Sequence, residues 1–69
     1  MEIKFTKHTI DQMKERGISD DEVVNTIKYP EETIKEHDRY LARKKVSLGT
    51  IEVVYIREKY IKVITVYPL

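Results

Sequence analysis

Reactive chemistry in this chain rests on few side chains. His8 stands close to an expected helix start, and its unperturbed pKa near 6.5 lets it move protons at neutral pH. A helix N-terminus favours its neutral form. Gln12 and the Glu15/Arg16 pair follow at helical spacing, so they share a stripe with His8. Arg43-Lys44-Lys45 concentrates cations, and the arginine fork suits phosphate. The same run equally fits a solvated strand edge. Thr65 and Tyr67 lie two apart on one strand face, where they are donors or simply good strand formers. His37 beside Asp38 reads as an exposed turn residue. Helical spacing also aligns His8, Asp11 and Glu15 as mixed metal ligands, a pattern that acidic helices produce by chance. With no cysteine, thiolate nucleophiles, Cys-based zinc sites and disulfides are excluded.

These residues need elements to position them. Ile3-Lys4-Phe5 reads as a short strand or extended arm. Thr6 is a good N-cap for a helix over Lys7 to Arg16, which Gly17 ends. Ile10 and Met13 are its expected buried side. Ser19-Asp20-Asp21-Glu22 is a capping box opening a second helix, with Val23, Val24 and Ile27 inward and Pro30 forcing a stop near Tyr29. From Thr33 the period changes to two. Strands are expected over 33–36, 40–46, 51–57 and 60–67, with turns at 36–39, 47–50 and 58–59. The fold class is α+β: an N-terminal helical hairpin packed on one face of an antiparallel β-sheet.

At 69 residues the chain is a single domain, 1–69, with room for one small core and no enclosed dinucleotide site. No stretch approaches 18 apolar residues, and the charged first residues do not resemble a signal peptide. The lack of cysteine favours a cytoplasmic setting. The net charge of +1 hides an asymmetry: residues 1–38 carry −4 and residues 39–69 carry +5. A basic half can present a face that attracts phosphate backbones, or can neutralise the acidic half across the fold.

Turn lengths divide the sheet into two faces. Setting Val46 opposite Ile51 and Arg57 opposite Tyr60 gives one face with Tyr40, Ala42, Ile51, Val53, Tyr55, Tyr60, Lys62, Ile64 and Val66. The helices are expected there, on the Ile51, Val53, Ile64, Val66 patch. The other face gathers Leu41, Ile56 and Ile61 at one end. Arg43, Lys45, Glu52, Thr65 and Tyr67 gather at the other.

The opening run Phe5-Thr6-x-His8-x-x-x-Gln12-Met13-x-x-Arg16-Gly17-Ile18-Ser19-x-x-x-Val23 resembles a small family of unknown function related to RelE-type toxins, in the barnase–EndoU–colicin–RelE fold group. A second helix ending at Pro30 and the closing Val63-Ile64-Thr65-Val66-Tyr67 also resemble that family, so the likeness covers nearly the whole chain. Thr9 and Gln12 depart from it, standing where the family prefers Ala and Arg. The resemblance implies a RelE-like fold and a metal-independent endoribonuclease of toxin–antitoxin type. Its reaction would be attack of a ribose 2′-hydroxyl on the adjacent phosphate, without a cofactor. In that setting His8 would shuttle the proton, Arg16, Arg43 and Lys45 would hold phosphate with Gln12 beside them, and Thr65 and Tyr67 would donate hydrogen bonds. The partners implied are RNA, free or on the ribosome, and a small antitoxin protein.

Two other function classes fit the same sequence. One is a non-catalytic RNA- or ribosome-binding module with salt-sensitive affinity. The other is a protein-interaction module, such as a homodimer, that uses the Leu41/Ile56/Ile61 patch.

Overall fold

A computed structural model describes all 69 residues, Met1–Leu69. The chain runs β1 (Ile3–Phe5), α1 (Lys7–Arg16), α2 (Asp20–Lys28), β2 (Glu32–Glu36), β3 (Arg39–Val46), β4 (Gly49–Arg57) and β5 (Ile61–Pro68). It is an α+β fold in which the five strands form one sheet, ordered β1-β5-β4-β3-β2. The expected all-antiparallel sheet needs correction: β1 pairs with β5 in parallel, so the sheet is mixed. A three-residue strand has weak signal of its own, and its direction is set by the return of the chain after both helices.

Both helices begin as their caps dictate. The Thr6 side chain accepts from the Thr9 N–H, and Ser19 accepts from the Glu22 N–H. Gly17, at φ 65°, ends α1 in the left-handed region that glycine tolerates, and the Ile18 N–H then returns to the Met13 carbonyl. Glu22 does more than close the capping box. One of its carboxylate oxygens accepts from the Ser19 N–H at 3.0 Å, and the other accepts from the Ser47 hydroxyl at 2.8 Å and the Ser47 N–H at 3.2 Å. The start of α2 is thereby tied to the β3–β4 turn. The Ser19 N–H above all, and then Ser47, hold the Glu22 carboxyl below the ordinary value of 4.5. A carboxyl lowered by folding stabilises the native state above its unfolded value, and that contribution is lost as pH falls through the native value. Glu22→Gln is therefore expected to lower the melting temperature at pH 7 but to converge with wild type as pH drops below about 4.5. Circular-dichroism melts across pH check this. Parallel curves at every pH would refute it.

The helices cover one sheet face. Met13, Ile18, Val23 and Ile27 pack on Ala42, Ile51, Val53, Tyr55, Ile61, Val63 and Val66. Three expectations about this face change. On α1 the buried partner of Met13 is Thr9, and Ile10 is exposed. The Thr9 hydroxyl can be buried because it donates to the Val63 carbonyl and meets Thr6. On α2, Thr26 is buried with Val23 and Ile27 while Val24 is half-buried, and the Thr26 hydroxyl donates to the Glu22 carbonyl.

The third change concerns register. The Ser47-Leu48 turn sets Val46 opposite Gly49, which preserves the expected faces of β3 and β4. The last turn holds three residues, Glu58 to Tyr60, so Arg57 meets Ile61 rather than Tyr60. Ile61 and Val63 therefore face the core and Lys62 faces away, the reverse of the expectation. Further along, Tyr55 pairs with Val63 but Val54 pairs with Thr65, leaving Ile64 as an extra residue. This bulge restores the expected alternation at Thr65, Val66 and Tyr67. The three-residue turn also removes Ile61 from the Leu41/Ile56/Ile61 patch.

Beyond Val63, β1 no longer covers the edge of β5, and α1 takes over. Thr6 donates its N–H to the Val63 carbonyl, Gln12 Oε1 accepts the Val66 N–H at 3.1 Å, and Arg16 Nη1 donates to the Val66 carbonyl at 2.7 Å. Side chains of one helix stripe thus substitute for the missing neighbouring strand.

Candidate functional site on the helix-free face

The face without helices is built from cross-strand rows. Glu32, Arg43, Glu52 and Tyr67 form one row across β2, β3, β4 and β5. Ile34, Leu41, Val54 and Thr65 form the next. Strand alternation produces this arrangement: Ile51, Val53 and Tyr55 go to the core, which turns Glu52 and Val54 outward.

Glu52 is the centre of the charged row. It is only 2% exposed although no helix covers it, because Arg43 and Tyr67 flank it from the adjacent strands. Arg43 Nε donates to Glu52 Oε1 at 2.8 Å, and Arg43 Nη1 donates to Glu32 Oε1 at 3.1 Å. The Tyr67 hydroxyl donates to Glu52 Oε2. A carboxylate this buried needs such partners, since an unpaired buried charge is costly. The bond to Glu52 comes first among the causes that raise the Arg43 pKa above its ordinary value. The arrangement offers a carboxylate that accepts protons, a fixed cation and a phenolic donor within one hydrogen-bonded group.

The other sequence-selected residues fall around this group. Lys45 lies two residues past Arg43, on the same face and exposed. Thr65 stands beside Tyr67 on that face, and its hydroxyl donates to Gln12 Oε1 at 2.8 Å. Gln12 therefore joins the stripe of α1 to the rim of the outer face. Arg16 is committed to the Val66 carbonyl. His8 is exposed, one turn before Gln12 and next to Thr9, whose hydroxyl donates to the Val63 carbonyl. His8, Asp11 and Glu15 do not converge into a group that would hold a metal. No pocket forms anywhere on the surface, so the candidate site is an open sheet face.

Sequence reasoning grouped Arg43, Lys45, Glu52, Thr65 and Tyr67 but gave Glu52 no role. The available signal was a lone carboxylate inside the apolar run Ile51 to Ile56. A charge at such a position must find a partner on a neighbouring strand.

No helix is long and apolar enough to cross a membrane. Searches of curated proteins and of solved structures give no match. Residues 5–68 match the model of a domain of unknown function (DUF4258), and the chain belongs to that family.

Proposed function

We propose that this protein has a RelE-like fold and is a metal-independent endoribonuclease of the toxin type, acting on its helix-free sheet face. The observation that carries this reading is the Glu52 carboxylate held between Arg43 Nε and the Tyr67 hydroxyl, with Lys45 and Thr65 on the same face. Cleavage by 2′-hydroxyl attack needs a base, an acid and positive charge on the phosphorane. Glu52 takes the 2′-hydroxyl proton as the O2′–P bond forms. As the P–O5′ bond breaks, Tyr67 gives its phenolic proton to the leaving oxygen and regains one from Glu52. Arg43 and Lys45 stabilise the added negative charge. His8 and Arg16 lie along α1, away from the helix-free face, and take no part in this step; Arg16 serves the Val66 carbonyl. A small antitoxin protein is the partner that such an activity calls for.

A second reading is favoured by the full engagement of Glu52, whose two oxygens are both already bonded. In it the row is a structural brace and the face binds RNA without cutting it. Total RNA and translating ribosomes incubated with the protein in EDTA separate the two. Cleavage by wild type, retained by His8→Ala and lost by Arg43→Ala, supports the nuclease. Salt-sensitive binding to intact RNA supports the second reading. Neither binding nor cleavage would overturn both.

A further inference from the structure

We infer that Lys4 and Lys62, with Tyr60, form a second phosphodiester-binding subsite that holds single-stranded RNA alongside the cleavage row; it rests on the RNA reading above. Lys4 on β1 and Lys62 on β5 are Cα partners in the parallel ladder. Both face away from the helices, because Ile61 and Val63 turn inward and Ile3 and Phe5 pack against the core. Two lysines at partnered positions on adjacent strands carry like charges that repel each other. No carboxylate relieves this repulsion: both ion pairs of the molecule belong to Arg43, and neither lysine has a side-chain hydrogen bond. Lys4 Nζ sits instead 4.6 Å from the centre of the Tyr60 ring. The row continues from Lys62 through Ile56 to Arg39, a third cation on the same face, and ends at Glu36 on β2, the cross-strand partner of Arg39.

Cations without counter-ions beside an aromatic ring match a nucleic acid strand, whose phosphates need charge and whose bases stack on aromatic faces. Lys62 is separated from Thr65 by three positions along β5, roughly 10 Å at strand spacing, so one strand of RNA can reach both subsites. Lysines read phosphate rather than the 2′-hydroxyl, so single-stranded DNA of the same sequence should use this subsite equally well.

The test is fluorescence-anisotropy titration of a labelled 2′-O-methyl oligoribonucleotide, which binds but cannot be cleaved, over a range of salt concentrations. Wild type is compared with Lys4→Gln/Lys62→Gln and with the charge-preserving Lys4→Arg/Lys62→Arg. The slope of log affinity against log salt changes by about 0.7 for each cation neutralising a single-stranded phosphate, so the Gln pair should flatten it by roughly 1.4. The Arg pair should keep it, and the matching DNA should lose the same amount. Removing like charges should not lower the melting temperature of the Gln pair. An unchanged slope in a folded Gln pair overturns the subsite and leaves the nuclease reading intact. Wild type that binds RNA but never cleaves it overturns the nuclease and leaves the subsite standing. Wild type that binds no RNA overturns both.

Discussion

Glu52→Gln is expected to reduce RNA cleavage by a factor of about 10²–10⁴, the range over which a positioned general base contributes, while the protein stays folded. The amide keeps the size of the side chain, and its oxygen can still accept from Arg43 or from Tyr67. It cannot take a proton from a ribose hydroxyl. Glu52→Ala removes both bonds and leaves the Tyr67 hydroxyl without its acceptor, so it should also cost about 2–3 kcal/mol of stability. The comparison separates chemistry from bracing. Lost cleavage with a near-native melt in Glu52→Gln assigns the base, and Tyr67→Phe should then slow cleavage by at least tenfold without changing RNA affinity. Cleavage at the wild-type rate in Glu52→Gln refutes the assignment. A large loss of melting temperature in Glu52→Gln would mark the row as structural and favour the binding module.

Much of this geometry follows from local rules in the chain. The two caps, Gly17 and Pro30 act within one helical turn, so the bounds of α1 and the start of α2 were legible to the residue and the end of α2 to within one. The period-two pattern placed Arg43, Glu52, Thr65 and Tyr67 on one face, because the Ser47-Leu48 turn and the bulge at Ile64 leave that end of the sheet in the expected parity. The end near Ile61 was not legible. Whether the last turn holds two residues or three changes every side chain by one face, and Glu58-Lys59-Tyr60 lacks the glycine or asparagine that would fix its length. The parallel pairing of β1 and the burial of Thr9 were hidden for another reason. Both depend on where α1 lies against β5, a tertiary fact that neither segment encodes alone. Glu52 falls between these cases: its face was legible, but its near-complete burial arises only when Arg43 and Tyr67 close over it.

The same placement of α1 underlies the second large effect. Gln12→Ala should destabilise the protein by about 1–3 kcal/mol, because the N–H of fully buried Val66 loses its acceptor. For a domain of this size each kcal/mol lowers the melting temperature by roughly 4–8 °C. Gln12→Arg, which introduces the residue preferred in the family that the opening motif resembles, should cost at least as much. A guanidinium has no acceptor, so it leaves the Val66 N–H unpaired and can only donate to the Thr65 hydroxyl oxygen. Gln12→Glu is the informative control: it keeps the acceptor and places a carboxylate four residues before Arg16, a favourable helical pair. Arg16→Ala removes the bond to the Val66 carbonyl, and combined with Gln12→Ala it should give a non-additive loss, since both side chains serve one residue. The double variant also bares the β5 edge beyond Val63, so concentration-dependent association should accompany the lower melting temperature. If Gln12→Ala and Gln12→Glu melt alike, the acceptor at this position is not what seals the edge. If only the acceptor-bearing variants hold the wild-type melting temperature, α1 is serving as the missing strand, and Gln12 and Arg16 owe their places first to the sheet.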